Sequence, residues 1–371
     1  MTWRGAMVVI VLLCQSNASA ALRVEWEFAY GKENRTYNPS AIAAGPERTL
    51  FVAGTSTAPG LSGSDPEFWL WKVDGTGKVV AEAVIARGRP DDTIASALDL
   101  VRDIAVSRGG DGALLIEFRP GDPYFVTFDE RLAITGIVRL EIPERRAIAL
   151  HRLLRLEDGT YFAVGTADRK AILLRINSAG TVTVMKLVDG LDGFLDAVLT
   201  DRGELAGLGY AAANKGQLSL RFYGLDLSPL RSVPVPGRKG SVTAGPRKEP
   251  AVVYDASSDD EQLVVAGVVQ GETIGGAVTL PVLAKSFTPE FRIAARGPER
   301  YLIGGTGEEG VSFFEYGRGS VLSELVLKLD RQPRHWMLKR ITGMPTTALT
   351  IVYTADKELT TKVGLIRFRE N

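Results

Sequence analysis

An all-β fold, a seven-bladed β-propeller with four antiparallel strands per blade, is predicted by three features of this 371-residue sequence. An apolar strand pattern recurs seven times at a spacing of roughly 49 residues. Forty glycines are spread along the chain, as many tight turns between short strands require. The two ends read as complementary pieces of one repeat, so the ring is expected to close on itself.

Each repeat reads as four strands, a to d from the innermost outward. Strand b is plainest: Leu50-Phe-Val-Ala-Gly-Thr55, Tyr161-Phe-Ala-Val-Gly-Thr166, Leu205-Ala-Gly-Leu-Gly-Tyr210 and Tyr301-Leu-Ile-Gly-Gly-Thr306. Ala113–Glu117, Ala251–Tyr254 and Leu349–Tyr353 take the same place. These runs are β-branched or aromatic, with small residues where close approach is needed. The a-to-b turn is written in glycine, proline and aspartate. Gly45-Pro-Glu-Arg48 recurs as Gly297-Pro-Glu-Arg300, inside a longer match between Ile42–Arg48 and Ile293–Arg300 that supports internal duplication. Asp111-Gly112 and Asp158-Gly159 fill the slot elsewhere, supplying hairpin φ values.

Strand c closes on a polar turn: Leu70–Asp74, Phe125–Asp129, Leu173–Asn177, Leu218–Tyr223, Val264–Gln270, Phe313–Tyr316 and Leu365–Phe368. The last c strand has no d strand behind it. Leu22–Gly31 is a strand with no a, b or c before it, and it resembles the d strands Val79–Gly88 and Val182–Gly190. It is expected to add to Lys362–Phe368 and complete blade seven. A jelly roll or tandem sandwiches would also use many short strands, but neither predicts the period or the split unit. Arg89–Leu100 is expected to be an insertion between blades one and two.

Residues 1–20 read as a secretory signal peptide ahead of a single domain over 21–371. Arg4 precedes an apolar run, Ala6–Cys14, and Ala18-Ser19-Ala20 is a small-x-small cleavage signal. The run is shorter than the roughly 20 residues of a membrane helix, and no second apolar span follows. A periplasmic or secreted location follows. Bulky Leu12 and Leu13 before Cys14 do not fit a lipoprotein signal. Cys14 is the only cysteine, so the mature chain is expected to have no disulfide or thiol chemistry. Lys and Arg total 44 against 44 Asp and Glu, which lacks the basic excess of a nucleic-acid binder.

The run Phe51–Thr55 followed by Phe68-Trp-Leu-Trp-Lys-Val-Asp-Gly-Thr-Gly77 resembles repeats in exported bacterial β-propeller proteins. Blade one matches that motif well and blade three in part. The resemblance implies the fold and an exported location; the motif is structural and carries no catalytic residue.

Catalytic constellations are not found. His151 and His335 fall in different a strands, unlike the converging ligands of a zinc site. No nucleophile elbow or phosphate-binding loop is present. Asp74-Gly-Thr-Gly77 lacks the further carboxylates of a calcium loop. No metal or cofactor is expected. Arg102-Asp103, Glu144-Arg145-Arg146 and Asp196, near the starts of a strands, are read as solvated or paired rim charges.

Propeller topology puts d-to-a and b-to-c loops on one rim. Its longest connections are expected at Gly31–Pro39, Ser56–Glu67 and Gly88–Val101, on neighbouring blades. Arg35, Tyr37, Asn38, Asp65, Arg89, Asp91 and Asp92 are the candidate ligand-binding residues of that patch. Trp69 and Trp71 share one strand face and are expected to pack between blades. The expected function is a non-catalytic binding scaffold for a protein or small ligand. A propeller enzyme or electron-transfer subunit with an axial site, and a surface carbohydrate binder, are the alternatives.

Overall fold

A computed structural model describes residues 22–369 except 33–34, 58–66, 86–99, 118–121, 144–146, 213–215, 245–248, 258–262, 281–290, 298, 308–309, 329–333, 344–345 and 356–358. The leader, with Cys14, lies outside the described residues, as do Asp65, Arg89, Asp91, Asp92 and Glu144–Arg146. No described helix is long and apolar enough to cross a membrane.

The first strand is β1 (Val24–Tyr30). Blade one follows as β2 (Thr36–Ala44), β3 (Leu50–Thr57), β4 (Glu67–Val73) and β5 (Val79–Ile85). Blade two is β6 (Leu100–Val106), β7 (Gly112–Glu117), β8 (Pro123–Phe128) and β9 (Ile134–Arg139). Blade three is β10 (Ile148–Arg155), β11 (Tyr161–Ala167), β12 (Lys170–Ile176) and β13 (Val182–Val188). Blade four is β14 (Gly193–Leu199), β15 (Leu205–Ala211), β16 (Gln217–Tyr223) and β17 (Pro229–Val235). Blade five is β18 (Gly240–Thr243), β19 (Ala251–Asp255), β20 (Val264–Gln270) and β21 (Thr273–Thr279). Blade six is β22 (Phe291–Gly297), β23 (Arg300–Gly307), β24 (Gly310–Gly317) and β25 (Ser320–Lys328). Blade seven holds β26 (Arg334–Thr342), β27 (Thr347–Ala355) and β28 (Leu359–Phe368), with β1 as its outermost strand.

The hydrophobic core is divided among the blade interfaces. Seven buried clusters each join two neighbours, from blades one and two around to seven and one. Strands b and c are apolar on both faces because each blade is covered by a neighbour on either side, whereas the outer d strands alternate with solvent.

Ring closure takes the expected form. β1 runs antiparallel to β28, pairing Phe28 with Leu365 and Tyr30 with Val363. Aromatic side chains extend the zipper. Trp26, Phe28 and Tyr30 stack in sequence at 5.2 and 5.8 Å, and Tyr30 meets Trp71 at 6.2 Å. Trp69 and Trp71 are 2 % and 1 % exposed and pack with Leu349, Val363 and Leu365 across the seam. The Arg367 guanidinium lies 4.7 Å from the Trp26 ring and donates to the carbonyls of Gly75 and Arg48, both at 2.8 Å. The c-to-d turn of blade one is fitted to this seam. Gly77 sits at φ +89°, and a Cβ there would overlap the Phe28 ring. Its Asp74 caps the turn, accepting from the amides of Thr76 and Lys78, as a turn rather than a calcium loop.

Two local readings differ from the structure. In the Gly45-Pro-Glu-Arg turn the positive φ falls on Glu47 (52°) and Arg48 (61°), whereas Gly45 is extended at −112°. The proline occupies the position ahead of the reversal, so the two residues after it take the left-handed conformation. Gly31–Pro39 is not a long loop either, because β2 already begins at Thr36 and pairs with Thr57. Pro39 is tolerated because β2 is an edge strand facing the axis, and a bulge follows at once. The connection 280–290 between β21 and β22 is longer, and it lies between blades five and six.

Candidate functional site

The innermost strands surround an axial channel, and their local irregularities decide what lines it. Five of them carry a β-bulge shortly after their start: between Pro39 and Ala41, Val101 and Asp103, Leu150 and Arg152, Phe194 and Asp196, and Leu338 and Arg340. A bulge inserts one unpaired residue and re-aims its side chain. Those residues, Ser40, Arg102, His151, Leu195 and Lys339, all line one mouth of the channel, a cup of about 280 Å³. This is the rim of the d-to-a and b-to-c connections, where the a strands begin.

Glycines of the repeat motif make room for two of these bulges. Gly54 and Gly165, the glycines of Val-Ala-Gly-Thr and Ala-Val-Gly-Thr, lie opposite Pro39 and Leu150, the residues immediately before the inserted one. A Cβ on either would run into the backbone of the bulging strand, at the carbonyls of Asn38 and Ala149. At the bulges of blades two and seven the opposing residues are Ile116 and Thr350 instead, so the motif makes room for only part of the set.

Below the cup a charged belt divides the channel. Asp196, Arg292 and Arg340 line both this cup and the opposite one, which holds about 270 Å³ at the a-to-b rim. Arg152 is its keystone: its Nη1 lies 3.2 Å from Asp103 Oδ2 and its Nε 2.8 Å from Asp196 Oδ1. Asp103 also accepts from the Leu153 amide at 2.9 Å. Asp196 accepts from the Ser241 hydroxyl at 2.7 Å and the Val242 amide at 3.1 Å. Blades two, three, four and five are thereby laced together around the axis. Asp103 and Asp196, read from sequence as rim charges, are 1 % and 4 % exposed. They are paired as expected, but inside the ring.

The electrostatics follow from this lacing. Burial opposes the Asp196 carboxylate, but Arg152 and Arg340, with the Ser241 and Val242 donors, outweigh it and hold its pKa below the usual range. Burial likewise opposes charge on Arg152, and the two aspartates overcome it, raising its pKa. Arg340 is different. Burial, with repulsion from Arg152 and Arg292, pulls its pKa down to about 10 despite Asp103 and Asp196. Its Nη2 reaches only the carbonyls of His151 and Arg102, at 3.3 and 3.4 Å. His151 is kept neutral. Burial first, then Arg102 and Arg340, bring its pKa down to about 4 against the pull of Asp196.

The sequence-derived candidates separate. Asn38 is exposed and lines the cup. Arg35 is partly buried and pairs with Glu67 at 2.5 Å. Tyr37 is 3 % exposed, with its ring 5.9 Å from Trp69 and 5.5 Å from Trp71, in the seam between blades one and seven. Arg102 lines the cup and pairs with Glu117. Sequence reading did not single out Arg152, Arg292, Lys339 or Arg340. No local signal marks them: of the four only Lys339 is an inserted residue, and the residue before it faces Thr350 rather than a glycine. Among the described residues no group of three or more His, Cys, Asp or Glu is placed to hold a metal.

No protein-family model matches the chain, and no curated protein matches it. Solved structures do. The chain is similar to Kuenenia stuttgartiensis hydrazine synthase, at 14 % identity and TM-score 0.59 over 90 % of this chain and 96 % of that one. It is similar to YCF48 bound to D1 peptide, at 10 % identity and TM-score 0.58 over 95 % and 98 %. It is also similar to the Neurospora crassa Pan2 WD40 domain, at 9 % identity and TM-score 0.60 over 94 % and 96 %. At such identities the likeness is one of architecture: this chain, like these propellers, is a ring of four-stranded blades, here seven of them.

Proposed function

We propose that the protein is a non-catalytic binding scaffold, exported to the periplasm or secreted, that seats a protein or small ligand at the rim where the a strands begin. The observation that carries this reading is the convergence of five bulge residues on one axial cup. Bulges that re-aim side chains are costly to a ladder and concentrate beside functional sites. The engagement of Asp103 and Asp196 by Arg152 and by backbone amides supports a structural role for both carboxylates. YCF48 bound to a D1 peptide is a propeller of similar architecture in complex with a peptide.

The loop patch belongs to the same proposal. Asn38 joins it to the cup, while Asp65, Arg89, Asp91 and Asp92 fall in the connections from β3 to β4 and from β5 to β6, the latter ending at the cup residue Leu100. The test is Leu195→Trp, which fills the cup from a partly buried position. Ligands captured from periplasmic extract by the wild-type protein should be lost by this variant while its melting is preserved. Equal capture by both proteins rejects the cup as the site. Amino-terminal sequencing of the exported protein checks the leader, with Ala21 expected as the first residue.

A further inference from the structure

We infer that the axial cup binds a small oxyanion, a carboxylate or phosphate group, between Arg292 and Arg340. The inference rests on the cup being the ligand site and adds the chemistry of what it takes.

Four cations line the cup, Arg102, Arg292, Lys339 and Arg340, against one carboxylate, Asp196. Asp196 is already held by Arg152, Ser241 and Val242. Arg102 is held by Glu117, which is 2 % exposed. The other three have no carboxylate within ion-pair distance among the described residues. Arg292 donates through Nη1 only to its own carbonyl at 2.9 Å, and its Nε is buried with no acceptor. Arg340 has two long bonds to carbonyls. An unpaired guanidinium taken out of water is strongly unfavourable, and a second one nearby makes it more so. Burial first, then repulsion from Arg152 and Arg292, depresses the pKa of Arg340.

An oxyanion relieves this frustration. Carboxylate and phosphate match the planar fork of a guanidinium and accept two parallel N–H bonds, which a halide cannot. Two adjacent forks and the Lys339 ammonium supply more donors than one such group needs. The neighbouring cup residues Ser40 and His151 add a hydroxyl and a neutral imidazole without adding negative charge. The cup volume of about 280 Å³ is at the small end for ligand pockets, so the group enters with a short stem.

The experiment is calorimetric titration of the purified protein with inorganic phosphate and, separately, with succinate, using sodium chloride at matched ionic strength as control. Saturable binding of at least one oxyanion, one per chain and in the low-millimolar range, is expected. Arg292→Gln should weaken it about tenfold or more, and Arg292→Lys by less. Arg292→Gln should also melt no lower than wild type without ligand, because it removes a repelled cation. That separates a lost site from a lost fold. Preference between the two probes then assigns the group as phosphoryl or carboxyl. No saturable binding of either probe, or binding unchanged in Arg292→Gln, overturns the inference. If Leu195→Trp abolishes ligand capture from extract while Arg292→Gln retains it, the cup stands as the site and the oxyanion falls. If neither substitution affects capture, both fall.

Discussion

Replacing Arg152 with leucine should cost about 3 kcal/mol of stability, and the cost should shrink in acid. Removing one partner of a buried ion pair costs about 3–5 kcal/mol, because the other charge is left desolvated. Here two carboxylates lose their cation, yet each keeps backbone or hydroxyl donors: the Leu153 amide for Asp103, and Ser241 and the Val242 amide for Asp196. The lower end of the range therefore applies. An unfolding entropy of about 2.1 cal/mol/K per residue over about 350 residues turns 3 kcal/mol into a fall of about 4 °C in Tm. The pH dependence has a definite sign. Asp196 is held below its ordinary pKa in the folded wild type, so it stabilises above the carboxylate range, and that stability is lost as pH falls. Without Arg152 the buried carboxylate protonates more readily, so the difference between wild type and variant narrows as pH falls toward 4. Thermal melts by far-UV circular dichroism between pH 8 and pH 4 measure both effects. A change below about 1 °C, or a difference that does not narrow in acid, would refute the belt as the brace of the ring.

Other substitutions probe separate parts of the account. His151, neutral with a pKa of about 4 against about 6.5 unfolded, should lower wild-type stability by up to about 3 kcal/mol as pH falls through that window, since only the unfolded state then gains the proton; His151→Phe should flatten that part of the pH–stability curve. Gly77→Ala should cost about 2–3 kcal/mol in urea unfolding, combining an unfavourable φ with displacement of the Phe28 ring; a neutral result would separate this turn from the seam. Arg169, exposed at φ 61° in the two-residue turn between β11 and β12, should gain about 1 kcal/mol on change to glycine, and a loss would contradict the turn geometry.

The ring was legible because every blade repeats the same local rules. Strands b and c are continuous apolar runs, and the turn residues stand where hairpins need them, so Leu50–Thr55 or Leu173–Asn177 could be placed from their own letters. The orphan strand around Trp26 was legible for the same reason. The site was harder to see, because its parts are contributed by strands whose contact depends on closure. Asp103 and Asp196 drew attention as charges near a strand start, but the cation between them, Arg152, comes from a third blade. Arg292 and Arg340 belong to blades six and seven, and nothing local distinguishes them from exposed arginines. Tyr37 and Asn38 looked like loop residues beside a proline. The ladder to Gly54–Thr57 makes them strand, so that Tyr37 enters the seam and Asn38 the cup.

The closure of the wheel by its first strand underlies the seam, the belt and the cup alike, and hydrogen exchange read by mass spectrometry tests it most directly. The amides of Val24–Tyr30 that face β28 should be protected, and that protection should disappear together with that of Leu359–Phe368 as urea is raised. Exchange of Val24–Tyr30 at the rate of an unstructured peptide while Leu359–Phe368 stays protected would contradict the account.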